Sequence, residues 1–401
     1  MLNLLVIALL AFFWYCLVPA GGAFAVRRRW RRFRRRFDDL RLYPMLNYAW
    51  YSQGSGGIFR YIGGFESLTG RHTLWLRSED LTIPVVLSGA DAYVLSIPEK
   101  DAFANYFDPL KEAPVKIRWH EIRALAEGAK VFVGGLLREQ ENRLTFAAQK
   151  DNPLLVIFYN GPDRLLTPQA IRAGRRGNEY WNTLTPYGLI LGAFSQILIA
   201  LFYLQRPAYR STVICALAAV CVPLLPMIPP GFLLTLLYRR LWQQARVYRI
   251  YRDLARLPLK HLAGNKERTV LPNGEVYGRV YIPPAVLGFR QVLEDHAVPL
   301  VLPENAAGRL RIRHRGRGPS GGWYLYGALN GPARGEAQPA LPRAPADLFA
   351  TYGAVPGNPE QLARRFTLRA YLLEGLALTL LLAGIGINLF FMGTILLLFT
   401  A

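Results

Sequence analysis

Apolar runs of about 20 residues, each abutting a cluster of arginines, constrain this chain more than any other feature. A run of that length with few charges matches the hydrocarbon core of a bilayer. The first run covers 1–26. It is followed by Arg27, Arg28, Arg29, Trp30, Arg31, Arg32, Phe33, Arg34, Arg35 and Arg36, eight arginines in ten residues. Such a cluster holds its end of the span in the cytoplasm. A cleaved signal peptide is the alternative, since Ala23-Phe24-Ala25 resembles a cleavage site, but the basic n-region and an exportable flank are missing. The second run is 187–204, behind Arg172, Arg175 and Arg176. The third is 211–238, ahead of Arg239, Arg240, Arg246, Arg249 and Arg252. The fourth is 370–401, behind Arg364, Arg365 and Arg369.

With four spans, all four clusters fall on one side, and only Arg206 and Arg210 fall on the other. The expected protein is multi-pass in the cell inner (cytoplasmic) membrane, with both termini outside. Two soluble segments, 27–186 and 239–369, are then cytoplasmic. The third run carries Pro223, Pro226, Pro229 and Pro230. Proline removes a donor and kinks a helix, so neighbouring groups must satisfy the freed carbonyls. Gly384-Ile385-Gly386-Ile387-Asn388 is a possible bend in the fourth run, and Glu374 lies close enough to the boundary to snorkel.

Composition narrows the function classes. Lys+Arg 48 against Asp+Glu 27 gives +21, while 52% of residues are hydrophobic and 19% charged, which excludes a disordered chain. Cys16, Cys215 and Cys221 all lie in apolar runs, so no soluble segment holds a disulfide framework, a cysteine-ligated zinc or a cysteine nucleophile.

Both soluble segments alternate short β-patterned runs with glycine or proline turns, predicting two small mostly-β modules of sandwich or barrel type. Expected strands are 72–77, 83–87, 93–97, 130–137, 143–147 and 154–159, then 276–282, 310–315 and 322–329. Pro84 and Pro153 are expected at strand starts, and a short helix at 168–175. The segments also end alike at offsets of 191 to 193: Gly135 corresponds to Gly327, Tyr159 to Tyr352 and Pro168 to Pro359. The chain thus reads as span–module–span, twice, an internal duplication.

The segment from Ile122 to Arg206 contains Gly128, Lys130-Val131-Phe132-Val133-Gly134, Leu136, Asn142-Arg143-Leu144, Phe158-Tyr159, Leu165-Leu166, Arg175-Arg176 and Trp181. A span ending Phe202-Tyr203-Leu204-Gln205-Arg206 follows, and Ile83-Pro84-Val85 to Val94 adds a strand pair upstream. This pattern resembles the GIDE, or "beside a membrane", β module of membrane-anchored ubiquitin-ligase-like proteins, without their RING. The resemblance implies a β module between two spans with a binding role and no ligase activity.

The search for chemistry returns little. His72, His120, His261, His296 and His314 do not pair at metal spacing, and lone surface histidines are the expectation. Glu294-Asp295-His296 is a compact polar turn. Gly316 to Gly322 is glycine-rich but lacks the P-loop lysine. Trp30, Phe33 and Phe37 fall at i, i+3 and i+7, giving an arginine helix with an aromatic face suited to anionic headgroups. Arg239, Arg240, Trp242 and Arg246 repeat the theme. Arg309, Arg311, Arg313 and Arg315 alternate along one strand face and form a possible partner surface. Nothing accompanies this charge that marks a nucleic-acid module. No catalytic residue, metal ligand or cofactor is expected. The leading expectation is a non-enzymatic membrane scaffold or adaptor that presents two cytoplasmic β modules to bind a protein partner or regulate a membrane complex, with anionic lipids and a protein partner or a homo-oligomer as its contacts. A transporter or channel component is the alternative. A lipid-directed enzyme is the second, with Asp38, Asp39 and Asp253 as its candidate acids, although each looks like an ordinary ion-pair partner of nearby arginines.

Overall fold

The structure is a computed structural model and describes residues 2–54, 56–70, 72–79, 81–95, 115–116, 129–140, 143–149, 151–159, 161–175, 180–262, 266–283, 293, 298–302, 322–329 and 341–400. It forms two compact units. One comprises 1–31, 177–248 and 368–401; the other comprises 32–176 and 249–367. The chain passes between them at 31/32, 176/177, 248/249 and 367/368, each time in an arginine cluster.

Among the described residues three helices are long and apolar enough to cross a membrane, and their apolar parts fall in the first unit: α1 (Leu2–Leu40), α4 (Leu184–Leu204) and α7 (Pro359–Thr400). Around these lie α5 (Arg210–Val220) and the start of α6 (Gly231–Arg256). Helix α1 carries one π-helical stretch, Phe13–Leu17. Gly188, Gly192, Gln196 and Ala200 recur every fourth residue on α4 and are buried. A Cβ on Gly192 would stand 2.3 Å from the Tyr15 ring, so small residues set the approach of α4 to α1. The Tyr180 hydroxyl donates to Tyr15 O within the π stretch (2.8 Å), and Gln196 Nε2 donates to Ile7 O (3.1 Å).

The expected third span is not one helix. Helix α5 ends at Val220, a 3₁₀ stretch occupies Val222–Met227, and α6 restarts at Gly231. The prolines explain the break: they cannot donate in an α ladder. Asn388 of α7 spans the break, adding a second bond to two carbonyls that already accept from Ile228 N and Phe232 N and giving Gly231 N its acceptor. Its Nδ2 donates to Leu225 O (2.6 Å) and Ile228 O (2.8 Å), and its Oδ1 accepts from Gly231 N (3.3 Å). Gly231 and Gly384 permit this approach, since a Cβ on Gly231 would meet Gly384 O at 2.6 Å. Helix α7 itself runs through Gly384 and Gly386 without interruption, so the expected bend is not there.

The second unit holds two sheets. The first comprises β1 (Gly57–Thr69), β2 (Thr73–Arg77), β3 (Thr82–Val86), β4 (Asp91–Leu95), β5 (Val115–Lys116), β6 (Lys130–Gln140), β7 (Arg143–Ala147) and β8 (Leu155–Tyr159). Five of them close a ring, β1-β2-β3-β7-β6-β1, in which only the β3–β7 pair is parallel. Counted along the ring's own strands, the order is 1-2-3-5-4-1, the connectivity of an OB-type Greek-key barrel. Strand β6 also pairs with β8, which continues to β4 (parallel) and β5.

Strand β1 is the longest, and the glycines around it disguise it as a loop in the sequence. It faces β6 through Gly64, then turns to β2 with a register shift between Phe65 and Ser67. A Cβ on Gly63 would lie 2.9 Å from Arg77 O, so glycine is required where the strand changes partner. Leu74, Leu76, Ile83, Val85, Val131, Val133 and Phe146 fill the interior. Pro84 sits inside β3 rather than at its start, before the part that pairs with β7.

The C-terminal part of α1 lies on this sheet. Phe33 packs on Tyr93 (4.5 Å between centroids), and Phe37 packs on Phe132 (5.4 Å). Leu40 covers Gly134, where a Cβ would meet its side chain at 3.0 Å. Short helix α3 (Leu166–Arg172) follows β8.

The second sheet has the order β12-β11-β10-β9: β9 (Arg268–Val270), β10 (Val276–Ile282), β11 (Trp323–Ala328) and β12 (Gly353–Pro356). Strands β9 and β12 were not expected. The predicted strand 310–315 lies outside the described residues. Both soluble segments, expected as separate modules, belong to this one unit.

Candidate functional site

A buried cluster of charged side chains lies where the two segments of the second unit meet. Its residues come from four places. Arg41 follows α1, anchored by its N–H on Phe37 O (2.9 Å), and Asp38 lies one turn earlier. Arg60 is on β1. Lys260 and His261 lie at a 3₁₀ turn after α6. Asp347, Phe349 and Thr351 belong to the loop before β12. Asp347 shapes that loop by accepting from Phe349 N at its Oδ1 (2.9 Å).

Arg41 is fully buried. Its Nε lies 3.3 Å from Asp38 Oδ1, and its Nη1 donates to Phe349 O (3.1 Å). The same nitrogen is 3.4 Å from His261 Nε2, which also accepts from Thr351 N (3.4 Å). That pattern makes Nε2 the unprotonated ring nitrogen and places the proton on Nδ1. Arg60 is 2% exposed; its Nη1 donates to Arg41 O (2.7 Å) and its Nη2 to Asp347. Lys260 pairs with Asp38. Phe349 closes the site. Its ring lies 5.5 Å from Phe132 and carries the Arg60 guanidinium 4.8 Å from its centroid.

Electrostatics follow from burial. Desolvation draws both guanidiniums below their ordinary value, opposed by Asp38 for Arg41 and by Asp347 for Arg60. Burial, reinforced by Arg41, Arg60 and Lys260, pushes His261 down to about 3, so the ring is neutral at physiological pH. The Tyr277 hydroxyl, packed on His261 and donating to Thr351 O (2.9 Å), is held above its usual range by burial. This is a polar lock between segments. It brings together no nucleophile and base, and no group of three metal-binding side chains occurs among the described residues.

A second junction joins the loop after α3 to the end of α6. Arg175 pairs with Asp253, and Arg252 Nη2 lies 2.7 Å from the same carboxylate. Burial pushes Asp253 up, but the two guanidiniums outweigh it and hold the carboxyl below its ordinary value. Asp38 and Asp253, considered as lipid-enzyme acids, are thus both ion-pair partners; Asp39 is exposed.

The expected lipid-contact residues divide. Arg27, Arg28, Arg29, Arg31, Arg32, Arg35, Arg239 and Arg240 are exposed, and Trp30 and Trp242 half-buried. Phe33 is buried against Tyr93 and not available to headgroups. Arg34 donates to Ala173 O, and Arg36 pairs with Asp91 (3.0 Å). Arg246 is buried beneath Trp242, with its guanidinium 5.3 Å from the ring. Arg309, Arg311, Arg313 and Arg315 lie outside the described residues, as do His120, His296, His314 and 316–321. His72 is exposed, whereas His261, expected at the surface, is 9% exposed. Sequence reasoning missed Arg41, Arg60, Asp347 and His261 as a group. No local signal marks them as a group, because the bonds that join the segments, Arg41 to His261 and Phe349 and Arg60 to Asp347, span 220 to 308 residues.

Compared with family models, curated proteins and solved structures, the chain matches none.

Proposed function

We propose that this protein is a non-enzymatic membrane adaptor that presents its β unit to a protein partner at the cytoplasmic face of a bacterial inner membrane. The observation that carries this reading is an aromatic and cationic strip on a locked scaffold, with Tyr281 exposed and Tyr324 and Arg279 half-buried. On β10 and β11, Tyr281 is 47% exposed and packs on Tyr324 (5.1 Å), and Arg279 lies 5.9 Å from the Tyr324 ring. Tyrosine and arginine on a rigid support are the residue types that dominate protein–protein recognition. The four arginine-rich passages between units support one common cytoplasmic side, with anionic headgroups against the exposed arginines. In this reading α5, the proline break and the start of α6 together make a further pass, bringing the count to four with both termini outside. The likeness to GIDE-type modules agrees with a binding role but adds no chemistry.

The test is a photo-crosslinking residue in place of Tyr281 in native membranes. Crosslinks to one stoichiometric protein support the adaptor reading. Crosslinks confined to lipid, or none above a control at buried Leu325, sink it.

One observation favours a transport component as the second reading. The discontinuous stretch between Val220 and Gly231, held by Asn388, is the kind of broken element that lines ion and solute paths. Ion flux in liposomes that changes in Asn388→Leu would favour it.

A further inference from the structure

The junction between the soluble segments has a surplus of positive charge and of donors. Arg41, Arg60 and Lys260 supply three cations, against Asp38 and Asp347. Asp38 is shared by Arg41 and Lys260, and His261 stays neutral, so the balance among these groups is +1. Five polar atoms there are buried without a hydrogen-bond partner: Asp38 Oδ1 and Arg41 Nε, which face each other at 3.3 Å, and Arg41 Nη2, Arg60 Nε and Thr351 Oγ1. Arg41 and Thr351 meet at a common atom, His261 Nε2, and the Arg60 guanidinium bonds the Arg41 carbonyl. An unpaired buried guanidinium is costly, and the cost falls only when charge and donors are both met. Water meets the donors but not the charge.

We propose that this junction binds a small inorganic anion of chloride size, held by the Arg41 and Arg60 guanidiniums and the Thr351 hydroxyl. The anion completes the lock between the two soluble segments, independently of the adaptor reading. Its route in is the Lys260 side, where the lysine side chain is 41% exposed and Asp38 13%. The chemistry selects a compact acceptor-only anion, because the unpartnered donors that do not face Asp38 are three and the Phe349 ring and Tyr277 pack against Arg60 and His261 beside them.

The test uses the full-length protein in detergent micelles, with chloride titrated against gluconate at constant ionic strength. The thermal midpoint is expected to rise by about 3 °C or more and to saturate, as binding to the native state alone requires. Arg41→Met is the obvious variant, but it removes a buried structural group. Thr351→Val keeps the shape and removes one donor; it is expected to fold and to weaken the chloride midpoint about 5- to 10-fold. Equal midpoints in chloride and gluconate overturn the proposal. So does a chloride response in Thr351→Val equal to that of the unaltered chain.

Discussion

The two β segments of the second unit use one strand order to different ends. In the first, β8, β6 and β1 lie side by side, and β4 runs parallel to the outer face of β8. In the second, β12, β11 and β10 lie side by side, and Leu300 bridges in parallel to Ala354 of β12. Each set is preceded by a basic helix and followed by another helix. The first set bends β1 at Gly63 and Gly64, recruits β2, β3 and β7, and closes around its own apolar interior. The second recruits only the short β9 among the described residues. A closed barrel buries its core by itself, whereas an open four-stranded sheet needs a cover. Here part of the cover is the partner segment: Phe349 on Phe132, Asp347 on Arg60, His261 beside Arg41. The difference teaches that stability in the second segment is borrowed through a few buried contacts.

Cutting one such contact tests this most severely. Asp347→Ala leaves Arg60 buried without its carboxylate, and a loss of about 3–5 kcal/mol is expected. Limited proteolysis of the full chain is expected to nick the second sheet while β1–β8 stay protected. Simultaneous loss of both sheets would break the asymmetry described above.

Next is the barrel's own corner. Gly63→Ala forces a Cβ to 2.9 Å from Arg77 O, at an expected cost of about 1–3 kcal/mol. Amide exchange is expected to accelerate in β1 and β2 but not in β10 and β11. Faster exchange in both sheets would mean that the barrel does not stand alone.

Acidification sharpens the comparison further. His261 is held at about 3 in the folded chain, against about 6.5 unfolded. The folded pKa is depressed, so below about 6.5 the unfolded state binds the extra proton. The contribution of neutral His261 is therefore complete above that value and is lost as pH falls toward 3. Between about pH 7 and about 5.5 a loss of about 1 kcal/mol is expected. His261→Gln is expected to flatten this slope, and an unchanged slope would show that other groups set it.

The smallest effect is expected on the barrel's outside. Glu66 and Arg77 are 4.0 Å apart with side chains 41% and 71% exposed. Glu66→Gln is expected to cost at most about 0.5 kcal/mol in a denaturant titration. A cost rivalling that of Asp347→Ala would overturn the contrast between buried and exposed pairs.

The membrane-length helices were legible because an apolar run and its arginine border are local properties. So were β7 and β10, whose bounds match the alternating patterns at 143–147 and 276–282. Strand β1 was not, since the glycines that permit its change of partner look like a loop from the sequence alone. The prolines announced a disturbed third run, and Asn388 entered as the end of an expected bend in the fourth, but nothing local joins them. The aromatic face of the arginine helix was visible, while its target was not. A stripe of Phe33 and Phe37 fits a lipid surface or a sheet equally well, and only the presence of Tyr93 and Phe132 decides. The buried lock was illegible for the same reason. Arginine pairs with whatever carboxylate the topology delivers, and topology here acts across more than 200 residues.

Asn388 also has a consequence in time. Gly231 and Asn388 are 157 residues apart. At about 5–20 residues synthesised per second, the interrupted stretch waits about 8–30 seconds for the side chain that completes it. During that interval Gly231 N lacks the acceptor that Asn388 Oδ1 provides in the folded chain. The delay between the break and the side chain that spans it is set by their distance along the message.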